Sequence, residues 1–597
     1  MCGIVGFFDP FFKTRVDIRE TINTMASMIK YRGPDDSGVW ADDARGIALG
    51  HRRLSILDLS PAGHQPMSSH SGRYQMVFNG EIYNHLVLRS KLEKLGVSVN
   101  WRGHSDTETL LESFSVWGIS ETLQQLVGMF AIALWDRDER RLTLMVDRLG
   151  EKPLFYGWVR GAFVFGSELK ALRAYPGFDN PISRDALGAF LAHANVPAPY
   201  SIYQDVFKLE SGCVLSVDEE RLANRLVQAV PYWQLSDQAR AGLHMPIANE
   251  SEALIELEKI LQESVMLQAK ADVPLGAFLS GGVDSSIIAA LMQKQSGRPI
   301  QTFTVGFDEV ECDESPYARA VAKHLGADHH ELRVRAADAQ NVISLLPSMY
   351  DEPFADSSQI PTYLVCQAAR RHVTVALSGD GGDELFGGYN RYLWGKKIWN
   401  QMDWMPPNFR RALGLSIQKI PVSAWDAAAR FLPKTYQAAN FGYKAHKLAY
   451  RLKTVTDLND LYRSLVVEWP LAHQVVHEAN HLPTRLQDKN LVLGMDSPEH
   501  CMMLWDAVTY LPNDILTKVD RAGMAVSLET RMPFLDHRVV EFAWRLPLHM
   551  KIRNHQGKWA LRQVLYKYVP RELIERPKMG FGIPIGQWLR RDLRAWA

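Results

Sequence analysis

Cysteine is scarce in this chain: five among 597 residues, at Cys2, Cys213, Cys312, Cys366 and Cys501. An odd, scattered set excludes a disulfide framework and suits a reducing compartment, so the expected location is the cytoplasm. No charge sign prevails, with 67 Lys and Arg against 67 Asp and Glu. A balanced chain has no global field that would call for nucleic acid or an anionic membrane, and neither partner is expected. No apolar run reaches the roughly 18 residues of a membrane span. The longest candidate, LVGMFAIALW, is cut off by Asp136, and the first residues lack the form of a signal peptide. There is no fixed-period repeat, no low-complexity tract and no Walker Gly-Lys-Ser/Thr. What is present is ordinary for a globular protein of several domains: 46% hydrophobic and 22% charged residues.

The first 210 or so residues hold short strand-like runs with Gly and Asn turns, among them YQMVFNGEIYN, GMFAIALWD and GAFVFGSE. Two helix-like stretches interrupt them. HLVLRSKLEKLG ends at Gly96, and DTETLLESFSVWG stops at Gly118. Sheets flanked by helices are expected here. Residues 231–249 are irregular and polar and read as a linker. Beyond them SEALIELEKILQESVMLQAK is an amphipathic helix, followed by strand VPLGAFLS, turn GGVDSS and helix IIAALMQKQ. QTFTVGF and HVTVALSG continue the alternation, which predicts a parallel α/β sheet. The last 200 residues are mostly helical. Two domains are predicted, over residues 2–218 and 240–597.

The chain opens MCGIVGF. A cysteine beside the initiator methionine is by itself a frayed end. Here Ile4, Val5, Phe7 and Phe8 read as a buried strand that would hold the terminus in a sheet. If Met1 is removed, Cys2 carries a thiol of pKa roughly 8.5 next to an α-amine of roughly 7.7–8.0. The amine is then partly neutral near pH 7 and can accept the thiol proton, which activates the nucleophile.

LSGGVDSS lies where a strand gives way to a helix, at the mouth of an open α/β sheet. Gly281 and Gly282 admit an anion close to the backbone, Ser280, Ser285 and Ser286 add hydroxyls, and the helix N-terminus favours phosphate. Asp284 is misplaced against bare phosphate but sensible as a ligand of Mg²⁺ held between protein and phosphates. VTVALSGDGGDELFGGY repeats the strand-to-turn pattern with Ser378, Gly379, Asp380, Gly381, Gly382, Asp383 and Glu384. Together the two loops predict a Mg²⁺–ATP site.

SGGVDSS resembles the pyrophosphate-binding loop of the ATP pyrophosphatase superfamily. With MCGIVGF, and with YRGPDDSG, GHRRLSILDLSPAGHQPM, NGEIYN, SDTE, DRLGEKPLFY, ETRMPFLDH and RPKMGFGIP in order, the chain resembles the class B, glutamine-hydrolysing asparagine synthetases from end to end. The resemblance implies an α+β N-terminal-nucleophile glutaminase domain, an αββα sandwich, followed by an α/β ATP-pyrophosphatase-type synthetase domain with a helical C-terminal part. It implies that Cys2 attacks the side-chain amide of glutamine while Asn79 and Gly80 form the oxyanion hole. Arg53, Leu54, Ser55, Ile56, Leu57, Glu81 and Asp106 would hold glutamine, with Arg53 on its α-carboxylate and Glu81 and Asp106 on its α-ammonium. Leu279, Ser280, Gly281, Gly282, Asp284, Ser285, Val305, Ser378 and Gly379 would contact ATP, and Asp284 and Asp383 would bind Mg²⁺. Lys578 matches a lysine facing the phosphates. Asp380 matches a catalytic carboxylate that is Glu in several members, and the shorter side chain shifts any proton transfer it performs. Ammonia, mostly ammonium at pH 7, would need a dry passage between the sites, lined by apolar residues at the domain interface.

The expected partners are glutamine, ATP and aspartate, with a homodimer open as the assembly. Two other readings compete. One is an amidotransferase acting on another carboxylate, such as a sugar uronate in surface polysaccharide assembly. The other is a non-catalytic glutamine or nucleotide sensor, which intact Cys2, Asp284 and Asp383 disfavour.

Overall fold

The computed structural model describes residues 2–10, 17–96, 100–309, 313–429, 441–576 and 582–597. Its first half is built on two six-stranded antiparallel sheets. One runs Val206–Lys208, Phe155–Val159, Ala162–Gly166, Gly3–Phe8, Ile47–Arg53 and Asp36–Asp42. The other runs Ala229–Pro231, Cys213–Val217, Arg141–Val146, Gly128–Asp136, Tyr74–Ile82 and Met67–Ser68. Successive strand side chains point to opposite faces, and this alternation sets the layers. Ile4 and Phe8 pack between the sheets with Val77, Ala131, Trp135 and Leu142. Val5 and Phe7 face the other way, onto Ile22 and Met25 of helix Ile18–Ser27. On the second sheet Met76 and Phe78 turn outward onto Leu88, Leu110 and Phe114 of helices His85–Lys94 and Asp106–Gln125. The result is the helix–sheet–sheet–helix sandwich that the strand runs and the family resemblance predict. Cys2 sits at the start of a central strand.

The helix capped by Ser105 stops at Gly118 as expected: that glycine takes φ 76° and ψ 174°, outside helical geometry, and a second helical segment runs on from it to Gln125. One local expectation needs correction: the supposed linker is structured. Strand Ala229–Pro231 closes the second sheet against Cys213–Val217, and helix Leu235–His244 follows. Leu235 and Ala239 of that helix lie in the core of the second half. Gly242 lets it approach Trp544, where an added Cβ would stand 2.8 Å from backbone. Polar residues on its outer face hide the apolar spacing.

The second half is centred on five parallel strands in the order Asp328–Val334, Gln301–Phe307, Leu275–Phe278, Val375–Leu377, Glu529–Arg531. Helices Glu250–Gln268 and Val283–Gln295 help to form one large core, and Gln359–Arg370 helps to form the other. Both glycine loops leave the C-terminal ends of neighbouring strands, Leu275–Phe278 and Val375–Leu377, where open α/β sheets bind ligands. The halves meet through an apolar cluster: Leu54, Ile56, Tyr83, Val127 and Met129 from the first, Val375 and Met524 from the second. Cys213, Cys366 and Cys501 are buried and free. Among the described residues no helix is long and apolar enough to cross a membrane.

One buried cation in the helical core has a measurable consequence. Lys551 is fully buried, its Nζ finds no hydrogen-bond acceptor among the described residues, and it lies 4.6 Å from the Trp544 ring centroid. Burial pushes its pKa down to about 7, whereas an unfolded lysine titrates near 10.4. As pH falls from roughly 10.4 toward 7 the unfolded chain takes up a proton that the fold refuses, so stability falls across that window and levels off below it. Lys551→Met should raise the thermal midpoint at pH 7 and flatten this slope, by an amount on the order of a few kcal/mol. Denaturant titrations at pH 7 and pH 9 check it. An equal pH slope in both proteins would refute the assignment.

Candidate active sites

At the first site, the Cys2 backbone N–H donates to Asn79 Oδ1 at 2.8 Å. That bond fixes the amide of Asn79 and leaves Nδ2 buried without a partner among the described residues. An unspent buried donor beside a thiol is what an oxyanion needs, and one such donor is typically worth about 3–4 kcal/mol of barrier. Gly80 follows at φ 157°, where an added Cβ would stand 2.0 Å from Met129 O, so only glycine fits. The Cys2 thiol is buried and donates toward Leu54 O at 3.9 Å. Burial raises its pKa, against the opposing pull of a backbone hydrogen bond at Leu54 and of the Arg53 charge. A thiol so held needs a base to ionise.

The loop after strand Ile47–Arg53 walls this site. Arg53 is buried and donates to the carbonyls of Ser60 at 3.1 Å and Leu57 at 3.3 Å, so its guanidinium shapes the loop. Ser55 N–H donates to Asp35 at 2.8 Å. The second half grips the same loop. Asp272 N–H donates to Ile56 O, and Asp272 Oδ2 accepts from Asp58 N–H, both at 2.9 Å. Glu81 and Asp106 are buried nearby, and burial raises the pKa of both; each then has most to gain from a cationic ligand. Asp106 accepts from Ile82 N–H at 2.8 Å, and Glu81 lies 3.4 Å from Arg531 of the synthetase sheet.

The two glycine loops build the second site by touching. An added Cβ on Gly379 would stand 2.8 Å from the Asp284 and Ser285 backbone, and one on Gly382 would stand 2.6 Å from Asp284 Oδ1. Gly281 takes φ 73°, packed on Tyr317 and Ala318. Ser285 Oγ accepts from Ser280 N–H at 3.1 Å, which folds the first loop over the start of helix Val283–Gln295. Ser378 Oγ donates to Asp380 at 2.6 Å, and burial raises the Asp380 pKa. Leu279 N–H donates to Phe303 O at 2.9 Å, which ties the first loop's strand to Gln301–Phe307, the strand that carries Val305. Glu384 turns away from the loops and accepts from Tyr389 at 2.7 Å; burial and Asp383 lift its pKa to about 7.

Lys558 is the candidate site residue that motif reading missed. It is buried, its Nζ bonds Asp284, and Asp383 stands at 2.6 Å. Burial opposes its charge, but the two carboxylates outweigh burial and raise its pKa. Its backbone is left-handed, at φ 60°, an unfavourable conformation for a long side chain. Lys578, the lysine the resemblance selected, lies outside the described residues. Arg576, at the start of the same RPKMGFG stretch, donates to Ser280 O at 3.2 Å.

Two buried ion pairs anchor on one helix of the second half. Arg32 Nε donates to the Cys2 carbonyl at 3.1 Å, and its two terminal nitrogens reach Asp520 at 2.8 and 2.9 Å. Asp520 sits on helix Thr517–Met524. Two residues earlier on that helix Lys518 reaches Asp356 at 2.7 Å and Ser358 at 2.8 Å, and its charge is felt at Asp380.

These features define a glutamine amidotransferase joined to an α/β nucleotide-binding synthetase unit. The sequence pattern of the family described as asparagine synthase matches residues 256–597, and that of the glutamine amidotransferase domain matches residues 1–233. The chain is 35% identical to a putative glutamine-hydrolysing asparagine synthetase of Mycobacterium tuberculosis, over 100% of this chain and 90% of that protein. It is 33% identical to glutamine-hydrolysing asparagine synthetase 1 of Bacillus subtilis, over 100% and 89%. A fungal protein named amidase chry2, from Gibberella zeae, is more distant at 26%. The chain belongs to the glutamine-hydrolysing asparagine synthetase family.

Proposed function

We propose that this protein makes asparagine in the cytoplasm from aspartate, with glutamine as nitrogen donor and ATP as activator. The observation that carries the reading is the coexistence, in one chain, of Cys2 beside an unspent Asn79 donor and of two interlocked glycine loops around Lys558. Once Met1 is removed, the Cys2 amine takes the thiol proton and the sulfur attacks the glutamine amide carbon. Asn79 Nδ2 and the Gly80 backbone hold the oxyanion, ammonia leaves, and water later releases glutamate from the thioester. Arg53 would hold the α-carboxylate of glutamine, and Glu81 and Asp106 its α-ammonium.

Asp284 and Asp383 converge on one point from separate loops. Two carboxylates with phosphate oxygens supplying the rest is a common way to hold Mg²⁺, so these residues fit it. Bound there, Mg²⁺ would neutralise phosphate charge. Lys558 lies at the same point and would face the pyrophosphate, with the Ser280–Ser286 loop as its cradle. An oxygen of the aspartate β-carboxylate attacks the α-phosphorus, pyrophosphate leaves, and the acyl-adenylate forms. Ammonia, delivered past the apolar cluster of Leu54, Met129 and Met524, attacks the acyl carbon. Asp380, its pKa raised by burial, takes the shed proton as AMP departs.

An acceptor screen tests the reading. With glutamine, ATP and Mg²⁺ present, aspartate should release pyrophosphate and yield asparagine in equal amounts. Pyrophosphate released only with a sugar uronate would assign the same chemistry to the other acceptor class.

A further inference from the structure

We propose that the helical lobe of residues 390–429 and 441–454 docks on an anionic phospholipid membrane. The balanced charge of the whole chain conceals this lobe. Its 54 described residues hold ten Lys and Arg against two Asp and no Glu. The expectation of no membrane contact drew on a chain-wide average and does not apply to so lopsided a segment. Helices Asn390–Asp403, Pro407–Lys419 and Phe441–Thr454 share a small core around Met402, Leu452 and Val455. That core leaves their outer faces to solvent.

Those faces mix cations with large apolar groups. On the first helix and just past its end, Trp394, Lys397 and Trp404 fall on one side at helical spacing, and the tryptophans are 63% and 74% exposed. On the second, Phe409 and Leu413 are exposed one turn apart on one side, and Arg411 and Lys419 are exposed on its other sides. On the third, Lys444, Lys447 and Arg451 form a stripe, with exposed Tyr443 5.2 Å from Lys447 Nζ.

This combination selects among polyanions. Nucleic acid rewards cations and aromatic rings, but gains little from exposed Leu413, Leu415, Ile420 and Val422. A second copy of the lobe would bring like charges together. An anionic bilayer rewards both components: headgroups attract the lysines, and the interface accepts Trp, Tyr and aliphatic side chains. The cytoplasmic leaflet is the anionic one.

Cosedimentation of the full-length protein with vesicles tests this. Phosphatidylcholine vesicles should bind weakly, and vesicles containing phosphatidylglycerol should bind strongly at low salt and poorly at high salt. Each removed surface charge should weaken binding about fivefold, so Lys444→Ala with Lys447→Ala should cost about 25-fold. Trp394→Ala with Trp404→Ala should also reduce binding and should remove quenching of tryptophan fluorescence by brominated lipid. Both variants should keep glutaminase and pyrophosphate-releasing activity. If either variant loses its fold, salt dependence and brominated-lipid quenching of the unaltered protein decide. Equal binding to neutral and anionic vesicles, no vesicle binding, or binding unmoved by folded variants would each overturn the proposal. So would capture by nucleic acid or an acidic protein without vesicle binding.

Discussion

Cys2→Ala should abolish glutamine-dependent amide synthesis while leaving synthesis from ammonium salts largely intact. Loss of a covalent nucleophile commonly costs a factor of about 10⁴ or more, because no other group can form the intermediate. Asn79 Nδ2 and the Gly80 backbone would still stand in place, but with no adduct their donors have no developing charge to meet. The substitution is small and sits at a strand end held by Asn79 Oδ1 and Arg32, both of which contact the backbone of residue 2 rather than its sulfur. The synthetase loops should therefore be undisturbed. Glutamate release and pyrophosphate release, measured in parallel, separate the two halves. Because free NH₃ is the reactive form, the ammonia-supported rate should climb with pH above neutrality. Loss of both activities would contradict a glutaminase that acts only as a nitrogen supplier.

What the sequence revealed of these sites was whatever chain-local chemistry encodes. Asn79 and Gly80 lie side by side in NGE, and the close packing behind Gly80 explains why that position admits no other residue. The glycine loops were legible for the same reason: Gly281 and Gly379 stand where one backbone nearly touches another, and Gly382 stands where the backbone nearly touches the Asp284 carboxylate. Strand alternation around Ile4, Val5, Phe7 and Phe8 foretold a buried N-terminal strand. The connections between halves were not legible. Arg32 and Asp520 are 488 positions apart, and nothing local to either marks it as half of an ion pair. Replacing one member of such a buried pair commonly costs about 3–5 kcal/mol, yet the pair has no sequence signature. Helix Leu235–His244 was hidden because four of its residues are buried among polar neighbours. The charge of the lobe of residues 390–429 and 441–454 vanished in an average over the whole chain. Lys558 failed for another reason. It follows an Asn-His-Gln-Gly turn that reads as solvent-exposed, and only the fold carries that turn over Asp284 and Asp383.

Lys558→Ala should therefore stop ATP-dependent pyrophosphate release, by a factor on the order of 10²–10³ or more, as expected for a preorganised charge facing developing phosphate charge. Glutamate production from glutamine should persist. The backbone at this position is left-handed, and alanine bears that conformational cost as lysine does, so the substitution isolates the ammonium. It also leaves Asp284 and Asp383 without the cation between them. Their side chains are 17% and 22% exposed, so water can enter and the fold should survive a modest loss of stability. Lys558→Arg distinguishes charge from shape. A guanidinium keeps the charge but replaces a compact donor with a planar fork, and beside Gly388, where an added Cβ would stand 2.1 Å from the lysine Cε, there is little room for it. Arginine should recover stability more than activity. If Lys558→Ala released pyrophosphate at the unaltered rate, the phosphate-facing cation would have to be sought in Arg576 or in the stretch around Lys578, and the converging carboxylates would need a different explanation.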